Sequence, residues 1–456
     1  MKRVLWIGLL FLMAAPGVQA ETLNLAQAVD RALHADPRIT ERKHLVEAAR
    51  AMLQEAQGAG GVRYDVNTFL GLAPGVNGGI FDNGGTVSET CSAGCRLRSD
   101  GYKFNDGLSL WANLQFTIIK PLYTFGKIES YSEAAQGNVD VKRGDVRLQR
   151  DKTRLEVTRA YYGYLAARDT RYLFEDVAQR LDKAQTLTER WLKQGRGKVK
   201  QSDLYALRTA ASMVRKYLAQ AKAVEKISLD GLKVLTGVGL DHDLQVADEH
   251  ITPVALPNAS LAALQAEALT KRPEIAQLDA GMRARRALVA AHKAEEKPDV
   301  YVGLVGSLAY SPNRDRLDNP YISDPYNHAG VTPVVGVKWQ WNAGVQSAQV
   351  ARAQAEMNAL VQKAAYARNG IPFQVAEAYH TTHGDYDAVQ DLEHASRDGR
   401  RWMIGRYADY EAGLEEASKV IEAFQGYVLA HSDYLGTVDK YNNDVAKLMS
   451  VSGADE

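Results

Sequence analysis

Two histidines one helical turn apart, in His380-Thr-Thr-His383, are the first residues whose spacing could hold a metal ion. A zinc-hydrolase helix needs HExxH and a further ligand; here Thr381 stands where the glutamate would be, and no third ligand lies nearby. Histidines satisfied within a helix are the simpler reading. Cys91 and Cys95 sit in a Gly- and Ser-rich loop, and in an oxidising compartment they are expected to pair and close a small ring. Tyr161, Tyr162 and Tyr164 read as packing between helices. The sequence contains no G-x-S-x-G, no P-loop and no Gly-rich dinucleotide turn, so it supports neither an enzyme nor a bound cofactor. What remains is charge. Lys193, Arg196, Lys198 and Lys200 form a basic cluster, and Asp409, Glu411, Glu415 and Glu416 an acidic one. The elements that would position these clusters follow from the rest of the chain.

The chain has 456 residues, formal net charge +0, 46% hydrophobic and 24% charged residues, and only 13 prolines. That length allows two or three ordinary domains or one elongated one, and the neutral balance gives no reason to expect nucleic acid. Residues 1–20 read as a secretory signal, with Lys2 and Arg3, an apolar run, and Val18-Gln19-Ala20 at the cleavage site. No cysteine follows that site, which argues against a lipid anchor. No other stretch reaches the ~20 apolar residues of a membrane helix, so an exported chain of this kind would meet a membrane with strands.

The sequence repeats. Leu25/Leu261, Ala26/Ala262, Ala32/Ala268, Leu33/Leu269, Pro37/Pro273 and Ile39/Ile275 match at a constant offset of 236. Gly126/Gly344 follow at 218, and Gly197/Gly413, Ser202/Ser418 and Gly237/Gly453 at 216. Two tandem copies, 21–240 and 258–453, joined by a linker at 237–257 and followed by a tail at 454–456, account for this pattern. Extra residues in the first copy lie between the proline and the glycine, at the cysteine loop.

Each copy reads as a helix (38–57; 274–294), a strand (62–72; 300–309), a polar loop, a second strand (108–119; 331–341) and a long helical hairpin (126–235; 344–449). In 108–119, Leu110, Ala112, Leu114, Phe116 and Ile118 alternate with Ser109, Asn113, Gln115 and Thr117. In 331–341, Val331, Val335, Val337, Trp339 and Trp341 oppose Gly336, Lys338 and Gln340. Phe174, Val177, Leu181, Ala184, Leu187 and Trp191 mark the apolar stripe of the first long helix. A helix of some 65 residues spans roughly 100 Å at ~1.5 Å per residue, and must pack side by side in a rod or tube. The strands match the ~9–11 residues of a tilted membrane strand, with an apolar outside and a polar lumen. Leu110, Leu114, Phe116, Val335, Val337 and Trp339 are then the lipid-facing residues. Four strands cannot close, and open edges are not tolerated in lipid. Eight would have a filled interior, so twelve strands from three chains are expected.

With these features the chain resembles the TolC-like outer-membrane efflux proteins (outer membrane factors) over nearly everything from Thr22 to Gly453. The resemblance rests on the duplicated LxxAxxxALxxxP openings, the strand-to-helix glycines, and Gly197-x5-Asp203-Leu204 with a degenerate partner at Gly413. It implies a membrane α+β fold: a trimeric twelve-stranded β-barrel, four strands per chain, continuous with a periplasmic α-helical coiled-coil barrel. It implies a bacterial outer-membrane location and export of cargo received from a periplasmic adaptor (membrane fusion) protein and an inner-membrane pump of RND, ABC or MFS type. That is tripartite efflux or type I secretion, without catalysis or cofactor. In the family the hairpin tips close the tunnel through a Thr/Ser-Asp pair bonded to a tyrosine and an arginine, together with two acidic positions. Here these fall on Ser202 and Asp203, on Tyr410, on Glu415 in place of the arginine, and on Lys419 and Glu422. The substitutions suggest another charge pattern, in which Lys200 or Lys198 pairs with Glu415 or Glu411, beside Glu416, while Lys419 and Glu422 line the constriction. Solvated tip charges worth about 0–1 kcal/mol each are the alternative. A periplasmic coiled-coil adaptor or scaffold without a pore is the competing function.

Overall fold

The computed structural model describes residues 21–75, 107–195, 199–314, 323–342 and 344–454. The expected signal segment at 1–20, the Cys91–Cys95 pairing, Arg196, Gly197 and Lys198 lie outside them. The described elements run β1 (Glu21–Leu23), α1 (Leu25–Ala35), α2 (Pro37–Gly58), β2 (Arg63–Pro74), β3 (Leu108–Tyr123), α3 (Lys127–Gln194), α4 (Gln201–Thr236) and β4 (Leu244–Val246). They continue with α5 (Leu261–Lys271), α6 (Pro273–Glu295), β5 (Asp299–Tyr310), β6 (His328–Lys338), α7 (Val345–Glu411) and α8 (Ala417–Ser452). The order α1-α2-β2-β3-α3-α4 recurs as α5-α6-β5-β6-α7-α8. The ends of the elements differ from expectation by a few residues. β3 runs on to Tyr123, α7 to Glu411, and β6 stops at Lys338, leaving Trp339 and Trp341 beyond it.

The chain divides into two units: residues 1–45, 142–278 and 363–456, and residues 46–141 and 279–362. In the second unit the four strands form one antiparallel sheet in the order β2-β3-β5-β6. Its register sets Leu114 opposite Thr68 and Leu308, Phe116 opposite Val66 and Gly306, and Val302 opposite Val335. Because side chains alternate along a strand, the same register puts Gln115 with Asn67 and Ser307, and Thr117 with Asp65 and Val305, on the other face. Leaving the sheet takes backbone that few residues tolerate. β3 carries an irregularity at Pro121, which has no N–H for the ladder, then Phe125 at φ 53° and Gly126 at φ 82°. Gly344 repeats that glycine at φ 83°, although the second copy has no matching proline.

In the first unit, helices are cut at residues suited to ends. Asn24 caps α1 in a reciprocal capping box with Gln27, Ser260 caps α5, and Gly237 and Gly453 end α4 and α8 in left-handed conformation. Gly195 and Gly413, at φ 60° and 76°, follow the two long helices in left-handed conformation. A parallel pairing of β1 with β4 ties the start of the described chain to the linker, a contact that three-residue strands do not announce in sequence. The linker is strapped down further. The Tyr161 hydroxyl donates to Asp248 at 2.6 Å, Asp169 accepts the Ile251 N–H at 2.8 Å, and Asn442 bonds both Thr252 and Val254 at 2.9 Å.

The turn between α1 and α2 holds an ion pair built on a buried carboxylate, and its repeat keeps the pair with the charges exchanged. Asp36 accepts from the Arg38 guanidinium at 2.9 Å and the Thr153 hydroxyl at 2.6 Å, whereas Arg272 and Glu274 pair at the equivalent positions at 2.5 Å. Burial alone would raise the Asp36 pKa, but the bonds from Arg38 and Thr153 outweigh it and hold the carboxyl below its ordinary range. A depressed folded pKa stabilises above the unfolded value and is lost as pH falls through the folded one. Asp36→Asn is therefore expected to cost about 1.5–3 kcal/mol at neutral pH. That deficit should shrink below about pH 4, where the unfolded carboxyl protonates. Melting followed by circular dichroism from pH 3 to 7 checks this; a deficit independent of pH would refute the linkage.

Candidate functional site

In the first unit, the end of each long helix packs against the start of the helix that returns from it. Leu173, Val177, Leu181 and Ala184 of α3, Leu207 and Ala211 of α4, Met403 and Tyr407 of α7, and Val420 and Phe424 of α8 form one buried cluster. Their three- and four-residue spacing is that of a helical stripe, so the two hairpins of one chain lie side by side through this core.

Tyr410 sits at the end of that core, 1% exposed, its ring 5.4 Å from that of Trp191. Its hydroxyl bonds the buried Thr188 hydroxyl of α3, and burial raises the phenol pKa. The expected link from Tyr410 to Ser202 or Asp203 is thus not the one formed within the chain. Asp203 faces its own helix start, accepting the Lys200 N–H at 2.8 Å, while Ser202 is exposed. The reason is position along the helix: Tyr410 is on the buried stripe of α7, and Thr188 is the polar group that stripe meets.

The charges are likewise resolved locally. Glu415 pairs with Arg406, nine residues back at the end of α7, rather than with Lys200. A partner within the same tip loses less freedom on pairing than a long lysine reaching from another hairpin. Lys419 and Glu422 bond each other at 2.9 Å along one face of α8, both exposed. Burial and the Glu411 carboxylate push the Tyr407 phenol up to about 12. Trp191, Lys200, Asp203, Tyr410, Glu411, Glu415 and Glu416 are among the residues lining a cavity of about 510 Å³ at the tips. Of the acidic cluster named from the sequence, Glu411, Glu415 and Glu416 therefore border one space, and Asp409 is not part of its lining. Thr188 and Arg406 were not singled out in sequence, although Arg406 stands one helical turn before Tyr410.

The sheet of the second unit separates its residues as expected. Leu110, Leu114, Phe116, Val335 and Val337 share one face, and Leu110, Val335 and Val337 are wide open on it. Trp339 lies one residue past β6, its indole N–H donating to the Glu296 carbonyl at 3.2 Å. His380 and His383 lie in α7, where the His383 ring bonds the Tyr379 carbonyl at 2.9 Å. Among the described residues no group of three or more potential ligands could hold a metal.

No protein-family model and no curated protein matches the sequence. Solved structures do match. The chain is similar to the Campylobacter jejuni CmeC outer membrane channel, with TM-score 0.75 and 12% identity over 94% of this chain and 85% of that one. It is similar to the outer-membrane channel OprN, at TM-score 0.74 and 16% identity over 94% and 89% of the two chains. A third, CusC, known through conformational changes accompanying folding and transmembrane channel formation, gives TM-score 0.73 and 15% identity over 97% and 95%. At these identities the likeness establishes the fold.

Proposed function

From the premise that this chain has the fold of the TolC-like outer-membrane channels, we propose that it is an outer-membrane channel-tunnel. In this reading three copies close a twelve-stranded barrel, and the helices form a periplasmic tunnel that takes cargo from an adaptor and an inner-membrane pump. Rearrangement of the hairpin tips opens it. The observation that carries the reading is the sheet: one largely apolar face, an opposite face that carries Asp65, Asn67, Gln115, Thr117 and Ser307, and two edges, β2 and β6, without a partner among the described residues. In lipid such edges must be paired, and further copies of the same sheet are the economical way to pair them. Leu110, Leu114, Phe116, Val335 and Val337 then face lipid, with Trp339 at the interface, where indoles are favoured.

A second feature supports the assembly. On α4, Met213, Tyr217, Val224, Ile227 and Val234 are exposed at spacings of four, seven, three and seven, the seam of a helix awaiting another. Each such side chain gains about 1.5–3 kcal/mol when covered, so charging two per copy weighs heavily on an assembly of three. Val224→Asp with Ile227→Asp is expected to abolish a heat-modifiable oligomer on electrophoresis while leaving the monomer helical. The reading as a whole is tested by fractionation and planar-bilayer recording of the purified protein. Recovery as a soluble, non-conducting periplasmic protein would replace it with the adaptor or scaffold reading.

A further inference from the structure

The polar face of the sheet is closed at one end. There Ala73 is 0% exposed, Ser109 1% and Asn113 6%, while on the apolar face at the same level Leu72 is 63%, Leu108 68% and Leu110 62% exposed. A sheet buried on one side only must have chain lying on that side. The β5–β6 connection supplies it. The Asn313 N–H donates to the Ser109 hydroxyl at 3.1 Å, Arg314 donates to the Pro74 carbonyl at 3.0 Å, and the Tyr326 ring meets Trp111 edge-on at 5.5 Å. The two arms of the connection are held together by Arg314 and Asp324, 3.5 Å apart with side chains 4% and 2% exposed. Asn327 fastens both ends, accepting from the Ser311 N–H at 2.7 Å and donating to the Arg314 carbonyl at 3.0 Å. By strand direction, this end is opposite the one where β3 and β6 lead into the long helices.

We propose that residues 311–314 and 323–327 form a second constriction at the outer mouth of the lumen, latched by the Arg314–Asp324 pair. This rests on the channel reading, in which the polar face lines the lumen. Two properties suit a latch that can release. A buried ion pair holds only while both partners stay in place, so it behaves as an all-or-none contact. The closed packing is also incompletely satisfied: Trp111 Nε1, Asn113 Oδ1, Ser311 Oγ and Arg314 Nε are buried with no hydrogen-bond partner among the described residues. Moving the connection off the face would return these atoms to water and offset the loss of the pair. The outer latch is independent of the helical tips, and two constrictions in series conduct only as the narrower allows.

The test is single-channel recording of the full-length protein in planar bilayers, in both the wild-type background and one whose tips are loosened by Glu415→Lys. Asp324→Asn and Arg314→Gln break the latch; Tyr326→Ala removes bulk and leaves the ion pair intact, so it reports even where a latch variant misfolds. A conductance gain of at least about twofold from a latch variant or from Tyr326→Ala, in the loosened background, supports the outer constriction. Channels that conduct alike in all these forms overturn it and leave the channel reading standing. An unmodified protein that forms no channel overturns the channel reading itself.

Discussion

Glu415→Lys is expected to raise single-channel conductance, whereas Glu416→Lys, one residue on, is expected to leave it near the wild-type value. The two glutamates look equivalent in sequence and are not. The Glu415 side chain is 19% exposed and pairs with Arg406, while Glu416 is exposed and makes no ion pair among the described residues. Reversal at Glu415 removes the pair and sets a second cation against Arg406. For a partly buried pair we estimate about 1–2 kcal/mol per tip, above the 0–1 of a solvated one. Each 1.4 kcal/mol moves a two-state equilibrium about tenfold, so a tip closed most of the time should open visibly more often. The double exchange Arg406→Glu with Glu415→Arg restores the attraction and should bring conductance back. Equal effects from Glu415→Lys and Glu416→Lys would mean that net tip charge, not this pair, sets the closed state. No effect from either, with the outer latch opened by Asp324→Asn, would remove the tip from the gating scheme.

Leu114→Arg is expected to abolish outer-membrane assembly, and Gln115→Arg to permit it with altered ion selectivity. Leu114 lies in a central strand on the apolar face, between Thr68 and Leu308, and Gln115 lies on the opposite face between Asn67 and Ser307. An arginine towards lipid near the midplane costs about 2–4 kcal/mol, and an assembly of three incurs it three times. On the lumen side the same guanidinium stays in water and changes the field felt by a passing ion. Heat-modifiable migration and reversal potentials in a salt gradient give the two readouts. Comparable assembly of both variants would show that the apolar face does not meet lipid.

These expectations draw on different layers of information. The change from period two to helical period, the duplicated openings and the strand-to-helix glycines at Gly126 and Gly344 could be read from the chain, because each is fixed within a few neighbouring residues. From that alone came the two repeats, the four strands with their faces, and the long hairpins. The tip was legible in composition but not in pairing: Glu411, Glu415 and Glu416 do border one cavity, yet the partner of Glu415 is Arg406 and that of Tyr410 is Thr188. Which charges meet depends on how far a hairpin turns before its partner arrives, and no local pattern encodes that.

The same limit holds for the linker and the sheet mouth. Three-residue strands such as β1 and β4 have too little periodicity to be seen, so their pairing belongs to tertiary structure. The alternation of β3 says which residues share a face; it does not say that Ser109 and Asn113 lie beneath the β5–β6 connection. Only the fold brings Arg314 and Asp324 onto that face. Sequence determined what is periodic and local, since backbone sterics and side-chain alternation act between neighbours. Tertiary structure decided which distant charges and hydroxyls become partners, because burial leaves each polar group only the partners within its reach.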